Sequence, residues 1–333
     1  MRSRRGAMIF AALAAGAALF AANSSSLAPA PGTAPTLLAH RGIAQRFDTA
    51  GLAGDTCTAA RMLPPRHPYL ENTLASMRAS FAAGADVVEI DVHPTTDGRF
   101  AVFHDWTLDC RTDGAGVTRE HSMAQLKALD IGHGYTADGG RTFPFRGKGV
   151  GLMPALDEVL EAFPGRRFLV NVKSNDADEG ERLAAFLAAL PEPSRARVMV
   201  YGGDAPVARL RERLPRVAAM SRTLLRACLL RYAAYGWSGI VPAACANMPV
   251  FVPINIAPWL WGWPNRFLAR MRAAGSEVYA LGPYHGGFSA GLDSAQDLAR
   301  LPRGYGGGIY TDEIVAVARW LRESRAPAPP RAD

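Results

Sequence analysis

The sequence predicts an α/β protein folded as one closed (β/α)8, or TIM, barrel. Short β-rich segments alternate with amphipathic helical segments from residue 36 onward, which is the chain order of repeated βα units. The length of 333 residues fits a barrel of about 250 residues with insertions. A hydrophobic fraction of 49% with 20% charged residues excludes disorder for most of the chain.

Eight strands are expected, each a short segment bounded by polar or turn-forming residues. They cover residues 36–39, 86–91 with a continuation at 100–104, 167–173, 197–201, 217–220, 250–255, 277–281 and 308–311. Helices are expected between them at 72–83, 155–162, 179–190, 206–214, 222–235, 265–274 and 312–323. Two stretches, 43–70 and 106–153, break this alternation, and we expect enlarged loops there, which usually serve function.

The amino terminus is typical of a bacterial export signal. Arg2, Arg4 and Arg5 precede an uninterrupted apolar run over residues 7–22. A bilayer span takes roughly 20 apolar residues, so we expect a cleaved signal, with an uncleaved anchor as the alternative. The predicted organisation is a signal or anchor with a Pro/Ala linker at 1–35, the barrel at 36–324 and a disordered tail at 325–333. The expected location is the periplasm or the outer face of the inner membrane.

The charge balance narrows the class of partner. The chain has 37 Lys and Arg against 30 Asp and Glu, a net charge of +7, which falls to +4 without the three leader arginines. No run of basic residues with interleaved aromatics occurs, so nucleic acid is not an expected partner. An anionic ligand and a membrane surface both stay open. A monomer is expected.

Four cysteines lack any CxxC spacing, which argues against a zinc cluster. Export would permit disulfides. Cys57 with Cys110, and Cys228 with Cys245, are the favoured pairs, because the first would join two loops near one site and the second is local. Free thiols remain the alternative for the second pair.

Polar residues stand at the predicted carboxyl ends of strands, where barrels carry their chemistry. They are His40, Arg41, Glu89, Asp91, His104, Asn171 and Lys173. Glu89 and Asp91 share one face of a strand, and two buried carboxylates need a cation between them, for which a hard divalent ion fits best. Taken singly, a histidine at a strand end or a Glu-x-Asp pair is more often structural. The other histidines are assigned surface roles: His67, His93, His121, His133 and His285.

Three tryptophans lie close together at Trp259, Trp261 and Trp263. Packing against the barrel wall is the first interpretation, and contact with lipid or a partner is the alternative.

Several motifs occur in order along the chain: His40-Arg41-Gly42, Glu71-Asn72-Thr73, Gly84-Ala85-Asp86, Glu89-Ile90-Asp91-Val92, Asp97-Gly98, Val102-Phe103-His104-Asp105, Thr107-Leu108-Asp109 with Gly114, Pro154-x-Leu156-x-Glu158 and Thr311-Asp312. In these motifs the sequence resembles the glycerophosphodiester phosphodiesterase family, densely over residues 37–173 and less densely beyond. The resemblance implies a TIM barrel and metal-dependent cleavage of a glycerophosphodiester to glycerol 3-phosphate and an alcohol.

The resemblance also implies roles for particular residues. His40 and His104 would be the general acid and base, and Glu89 and Asp91 would be metal ligands. The phosphate would be bound by Arg41 and Lys173. The site would be supported by Glu71 and Asn72. Imidazole suits proton transfer in both directions because its ordinary pKa is near 6.5.

The chain departs from the family pattern at three places. Asn171 stands where the family has a glutamate that ligates the metal, so we expect Asn171 as a neutral third ligand to Ca²⁺ or Mg²⁺. Residues 43–70 enlarge a gap that is usually short, and Cys110 replaces an expected arginine. If Asn171 does not face the ion, Asp176 or Asp178 becomes the candidate ligand.

Two other functions stay open at this point. One is a lysophospholipase D or sphingomyelinase D-like phosphodiesterase that acts on membrane lipids. The other is an exported ligand-binding barrel without catalytic activity, which lost turnover through Asn171.

Overall fold

A computed structural model describes residues 2–29, 32, 34–54, 56–286 and 290–324, and it contains a nearly closed barrel of parallel strands with helices outside. The barrel strands are β1 (Thr36–Ala39), β2 (Val87–Pro94), β4 (Arg167–Val172), β5 (Val198–Gly202), β6 (Ala219–Ser221), β7 (Pro249–Pro253), β8 (Glu277–Leu281) and β9 (Gly308–Thr311). The strand β3 (Phe100–Val102) pairs only with β2. The predicted fold class is confirmed.

The order of the sheet is β6-β5-β4-β2-β1-β9-β8-β7, so each barrel strand except the two at the ends has two neighbours. The two end strands are connected by a hydrogen bond, in which Ala219 N donates to the carbonyl of Asn247 just before β7 at 3.2 Å. The strands are lined by buried apolar residues that form one large core. Burial of this kind is the main favourable term in folding.

The helices follow the predicted alternation. They are α1 (Arg2–Asn23), α2 (Leu74–Ala83), α3 (Met123–Lys127), α4 (Leu156–Ala162), α5 (Ala177–Ala189), α6 (Glu192–Arg195), α7 (Asp204–Arg213), α8 (Arg222–Tyr235), α9 (Asn265–Ala273), α10 (Ala295–Ala299) and α11 (Ile314–Glu323). Every predicted helix is present with its ends within two residues. Caps fix the ends: the Thr73 side chain accepts from Ser76 N at the start of α2, and Gly84 with φ +119° ends it.

The second strand differs from the prediction. It continues three residues past 91 because β3 folds back antiparallel on it, with Val92 opposite Val102 and His93 opposite Ala101. The expected continuation is therefore a separate short strand. It also corrects the surface role assigned to His93, whose side chain is buried.

The two enlarged loops are not independent. Apolar residues of both pack into a second, smaller core beside the barrel: Ala59, Met62, Leu70, Ala101, Phe103, Leu108, Met123, Leu126, Ile131, Tyr135, Phe145, Met153 and Ala155. The disulfide Cys57–Cys110 joins them, as predicted. Asp130 orders the glycine-rich part by accepting from Gly132 N at 3.0 Å and Gly149 N at 2.8 Å. We call these two segments, 43–70 and 106–153, the cap.

The second predicted disulfide, Cys228–Cys245, is also present and ties α8 to the segment before β7. Both cysteines are fully buried. The alternative of free thiols at this pair is therefore wrong.

The apolar run at the amino terminus forms α1, whose described side chains from Met8 to Phe20 are exposed. This excludes a buried core helix. Within the described part of the chain, no helix is both long and apolar enough to cross a membrane. Cleavage and location stay predictions, and the predicted tail at 325–333 lies outside the described residues, as do residues 30, 31 and 33 of the linker.

The three neighbouring tryptophans separate into two groups. Trp263 packs against the core, with its ring centroid 5.7 Å from Phe267 and 5.5 Å from Tyr305. Trp259 is 78% exposed and Trp261 is 39% exposed. Packing against the barrel wall is therefore right for Trp263 and wrong for Trp259.

Candidate active site

All nine predicted site residues lie together where the barrel strands end, beside the cap. They are His40, Arg41, Glu71, Asn72, Glu89, Asp91, His104, Asn171 and Lys173. Strand register explains part of this, because Asp91 pairs with Asn171 and Asn171 pairs with Tyr201 across three adjacent strands. Their side chains therefore point to the same side of the sheet.

His40 follows β1 and is held by a carboxylate from the neighbouring strand. Its Nδ1 lies 2.5 Å from Asp312 Oδ1, and its Nε2 lies 3.8 Å from Glu89 Oε2. Burial and the nearby Arg41 oppose protonation, but the two carboxylates outweigh them and raise the pKa of His40. His40 therefore holds a proton more readily than a free imidazole does.

His104 belongs to a second pair of the same kind. Its Nδ1 lies 2.6 Å from Asp105 Oδ1, and the other oxygen of Asp105 lies 3.0 Å from Arg111 Nε. Burial and Arg41 lower the pKa of His104 to about 4. Asp91 and Asp105 favour the imidazolium, but burial together with Arg41 and Lys173 outweighs them, so His104 is neutral at pH 7.

Asp91 is the most crowded carboxylate of the site. Its oxygens lie 3.3 Å from Arg41 Nε and 3.3 Å from Lys173 Nζ, and they accept amide hydrogens from Asn72 at 3.0 Å and Asn171 at 2.8 Å. Burial alone would raise the pKa of Asp91, but the surrounding cations hold it well below its usual value. Asp91 is therefore ionised and holds both predicted phosphate-binding side chains in place.

Glu89 has a different environment. It accepts the hydroxyl hydrogen of Tyr201 at 2.6 Å and the backbone N–H of Arg41 at 3.1 Å. It is fully buried, and burial together with the charge of Asp91 raises the pKa of Glu89 to about 7. This carboxylate lacks the lysine or arginine side chain that its neighbour has, so a cation beside it would favour its charged form.

The supporting residues act through backbone turns and a chain of charges. Arg41 and Asn72 both have positive φ, 55° and 58°, which asparagine tolerates far better than arginine. Glu71 lies 3.0 Å from Arg41 Nη1 and 3.5 Å from Arg111 Nη2. Glu71 therefore connects Arg41, at the carboxyl end of the barrel strands, to Arg111 of the cap.

Four residues of the site were not predicted as site residues from the sequence: Asp105, Arg111, Tyr201 and Asp312. Tyr201 ends a predicted strand, so the strand-end rule that selected Asn171 could have found it. Asp105 and Asp312 lie within motifs quoted for the resemblance. Arg111 follows Cys110, and its role depends on the disulfide and on the folding of the cap, which give no local signal.

Oxygen ligands for a divalent cation are present in part. Glu89 and Asp91 supply carboxylates and Asn171 supplies an amide, a donor set that suits Ca²⁺ or Mg²⁺. Asn171 donates its N–H to Asp91, so its amide would have to turn over for the oxygen to face an ion. No group of three or more His, Cys, Asp or Glu side chains in the described residues is arranged to hold a metal ion. Glu89, which has no lysine or arginine side chain in ionic contact among the described residues and lies 3.8 Å from His40 Nε2, is the carboxylate that best fits a cation.

The reserve candidates for the third ligand, Asp176 and Asp178, lie at the start of α5. Asp176 caps this helix by accepting from Asp178 N at 3.0 Å, and it lies 3.3 Å from Arg119. Because these contacts already engage the carboxylate of Asp176 at the start of the helix, Asn171 is the better candidate for the third metal ligand.

His93 is a buried histidine next to this site. Its Nε2 has no hydrogen-bond partner among the described residues, and its ring lies 5.9 Å from that of Trp106. Burial and Lys173 lower the pKa of His93 to about 4. It is neutral at pH 7 and lies next to the predicted site residues.

Comparison with known proteins identifies the relatives of this arrangement. Residues 40–189 match the model of the glycerophosphoryl diester phosphodiesterase family. A glycerophosphodiester phosphodiesterase of Caldanaerobacter subterraneus subsp. tengcongensis is 35% identical over 103 residues, which are 31% of this chain and 39% of that protein. The chain thus aligns with about two fifths of the length of the curated relatives it matches.

Solved structures share the fold at low identity. The glycerophosphoryl diester phosphodiesterase domain of an uncharacterized protein from Mycobacterium tuberculosis has a TM-score of 0.63 at 18% identity and covers 86% of this chain and 99% of that chain. A phosphodiesterase from Oleispira antarctica in complex with the product sn-glycerol-3-phosphate has a TM-score of 0.51 at 20% identity, with 89% and 99% covered. All nine predicted site residues fall within the segment 40–189, and this segment is similar to the glycerophosphoryl diester phosphodiesterase family.

Proposed function

We propose that this protein hydrolyses glycerophosphodiesters to glycerol 3-phosphate and an alcohol. The observation that carries the proposal is the pair of His–Asp contacts, His40 with Asp312 and His104 with Asp105, at one end of the barrel. Each contact occupies Nδ1 of the histidine and leaves its Nε2 for proton transfer. Cleavage of a phosphodiester between two histidines requires one such nitrogen on each ring. The Oleispira antarctica structure, which holds sn-glycerol-3-phosphate, supports the substrate class.

Arg41 and Lys173 are proposed to bind the phosphate. Both cations lie 3.3 Å from an oxygen of Asp91, so the two side chains are held next to the same carboxylate and are partly shielded from solvent. A phosphodiester carries a negative charge that grows on its non-bridging oxygens during attack, and fixed cations in a poorly hydrated site offset it strongly. Asp91, which is held ionised, keeps the two side chains from repelling each other before substrate binds.

The surroundings of the two histidines differ, and the difference supports distinct roles. His104, which burial and the nearby Arg41 and Lys173 keep neutral, is the base that removes a proton from the nucleophile. His40, which Asp312 and Glu89 favour as imidazolium, is the acid that protonates the leaving alcohol. The nucleophile is water or the neighbouring glycerol hydroxyl. Its oxygen forms the new bond to phosphorus, and the bond to the alcohol oxygen breaks.

One divalent cation, Ca²⁺ or Mg²⁺, would be held by Glu89, Asp91 and Asn171. When bound, it would supply Lewis-acid stabilisation of the phosphate oxygens. Two carboxylates with one neutral amide bind such an ion more weakly than three carboxylates do. The dependence on added cation should therefore reach into the millimolar range.

Product analysis tests this function. Purified protein is incubated with glycerophosphocholine and, separately, with a lysophospholipid, each with and without EDTA. We expect glycerol 3-phosphate and choline from the first substrate, with loss in EDTA that added Ca²⁺ or Mg²⁺ restores. His40→Ala and His104→Ala should each lose roughly 10²–10⁴ in rate with an unchanged circular dichroism spectrum. Near wild-type turnover in either folded variant would remove that histidine from the chemistry.

A second candidate function, cleavage of lysophospholipids or sphingolipids in a membrane, is supported by one observation. Trp259, 78% exposed, lies in the loop that follows the carboxyl end of β7, and the carboxyl ends of the strands carry the site. The lysophospholipid arm of the same assay separates the two candidates. Absence of turnover on both substrates would favour a ligand-binding barrel without catalysis.

A further inference from the structure

We infer that this chain docks on the surface of a bilayer that contains anionic lipid, through one defined face beside α8 and α9. This goes beyond the proposed hydrolysis and does not depend on it. The face consists of five exposed apolar side chains, which we call the tryptophan face: Leu230, Trp237, Ile240, Trp259 and Trp261. Their exposed fractions run from 39% for Trp261 to 78% for Trp259.

Hydrogen bonds gather these residues from separate parts of the sequence. Trp261 Nε1 donates to the carbonyl of Ala233 at 2.9 Å, and the carbonyl of Trp261 accepts the Tyr232 hydroxyl at 2.9 Å. The loop after β7 is thereby fixed on the last turn of α8, which leads directly to Trp237. The aromatic side chains are thus held on a rigid base, and this surface is not a mobile loop.

Arg270 in α9 lies beneath this base. Its Nη1 donates to the carbonyl of Gly236 at 2.9 Å and to the Tyr232 hydroxyl at 2.9 Å. It also donates to Asn23 Oδ1 at 3.1 Å and to the carbonyl of Ala22 at 3.2 Å, at the carboxyl end of α1. The same arginine therefore joins the tryptophan face to the apolar helix at the amino terminus.

The end of α1 is fixed on this face by further contacts. Asn23 Nδ2 donates to the carbonyl of Trp237 at 2.7 Å, and Asn265 N donates to Ser25 Oγ at 3.0 Å. The side chains of Met8, Phe10 and Phe20 along α1 are exposed. Apolar surface thus continues from the tryptophan face along α1, and such a surface is larger than the scattered exposed residues of a soluble domain.

The charge around the face identifies the occupant as anionic. Between Glu212 and Glu277 the sequence has eight arginines and no aspartate or glutamate. Arg222, Arg226 and Leu230 follow one another at helical spacing of four on the exposed side of α8, in line with Trp237. Basic side chains next to interfacial aromatic residues are the pattern that attracts proteins to anionic membranes.

A second copy of this chain fits the face poorly. A symmetric contact would bring the same patch against itself, so the arginines of α8 would meet each other, and residues 213–276 contribute no acidic side chain to offset them. A bilayer with anionic headgroups offers both the apolar layer for the tryptophans and the negative charge for the arginines. Tryptophan in particular favours the boundary between headgroups and acyl chains.

Vesicle flotation of the full chain tests the inference. We compare phosphatidylcholine vesicles with vesicles that contain 30% phosphatidylglycerol, and we expect binding to the second at low salt. Each arginine near the surface contributes about fivefold, so Arg222→Gln with Arg226→Gln should lower the partition coefficient by roughly 20- to 30-fold. Trp237→Ser with Trp259→Ser should lower it by at least about tenfold, because two large apolar contacts are lost.

Two matched variants serve as controls. Val315→Ser alters an exposed apolar residue on α11, and Arg319→Gln alters an exposed arginine on the same helix. Both should bind as the unaltered chain does. If the variant with Trp237→Ser and Trp259→Ser has the partition coefficient of the unaltered chain, α1 alone attaches the chain to the vesicle. That result would overturn the inference. Binding that does not respond to the phosphatidylglycerol fraction would overturn it as well.

Fluorescence locates the contact independently of affinity. Vesicles with brominated acyl chains quench tryptophans that enter the bilayer boundary. We expect quenching that falls sharply when the three tryptophans of the face are replaced together, by Trp237→Phe, Trp259→Phe and Trp261→Phe, and that is retained in Trp320→Phe, a partly buried tryptophan on α11. Quenching that survives the triple change would place the contact elsewhere on the molecule and refute the assignment of this face.

Discussion

The contact between His40 and Asp312 leads to a quantitative prediction. Replacing Asp312 by asparagine keeps the shape of the side chain but removes the charge that lies 2.5 Å from His40 Nδ1. A hydrogen bond between two charged groups of this kind is worth about 1.5–3 kcal/mol. Since one pKa unit corresponds to about 1.4 kcal/mol, the pKa of His40 should fall by roughly 1–2 units.

The sign of the effect on activity follows from the role of His40. An acid must hold its proton, so turnover is lost as the pH rises through the pKa of His40, which Asp312 keeps above the ordinary value. In Asp312→Asn that loss should begin roughly 1–2 pH units lower, by the same free energy. At pH 7 the protonated fraction, and with it kcat/KM, should then fall, with roughly 10- to 100-fold as the upper limit set by a shift of 1–2 units.

The assay is kcat/KM for glycerophosphocholine measured from pH 5 to 9, with saturating Ca²⁺ and glycerol 3-phosphate as the detected product. Profiles of kcat/KM report the free enzyme, in which the structure gives the contact. Asp109→Asn is the matched control, because that carboxylate accepts only a backbone N–H, from Gly116, in the cap. An upper limb that stays in place in Asp312→Asn, with reduced kcat at all pH values, would refute the role of His40 as the acid.

Three further experiments, with four substitutions, test other parts of the site and the cap. Asn171→Glu should tighten binding of Ca²⁺ in calorimetric titration, because a third anion would face the ion, whereas Glu89→Ala should weaken it; unchanged affinity in Asn171→Glu would mean that residue 171 does not face the ion. Tyr201→Phe should raise the pKa of Glu89 from its value of about 7, since the carboxylate loses the hydrogen bond from the hydroxyl 2.6 Å away. Infrared titration of the carboxylate would detect this rise, and an unchanged pKa would contradict the contact. Cys57→Ser should lower the free energy of unfolding by about 4 kcal/mol under oxidising conditions, since the crosslink closes a loop of 53 residues, and a denaturation midpoint equal to that of the unaltered chain would show that the cap is stable without it.

Much of the barrel could be predicted from the sequence because local residue patterns indicate each strand and helix. The period of apolar residues and the capping residues specify each βα unit, and repeated units close in only a few ways. The strand-end rule then placed seven of the nine predicted site residues together, since parallel strands present their carboxyl ends on one side, and the resemblance added Glu71 and Asn72. The same rule explains why Asn171 and Lys173 were identified although they are far from His40 in sequence.

Other features depended on contacts between distant segments. His93 was assigned a surface role, and it is buried because β3 folds back on β2, a pairing that short strands do not indicate on their own. Trp259 and Trp263 look alike in sequence, and only the course of the loop after β7 exposes one and buries the other.

What the sequence determined by itself is therefore the fold class, the set of reactive side chains and the resemblance to a family. The tertiary structure decided how those side chains differ. His40 and His104 are the same residue type, yet Asp312 and Glu89 raise the pKa of the first, whereas burial and Arg41 lower the pKa of the second to about 4. The physical reason is that a charge in a buried site depends on every other charge within a few ångströms, and those neighbours come from strands and loops that only the folded chain brings together.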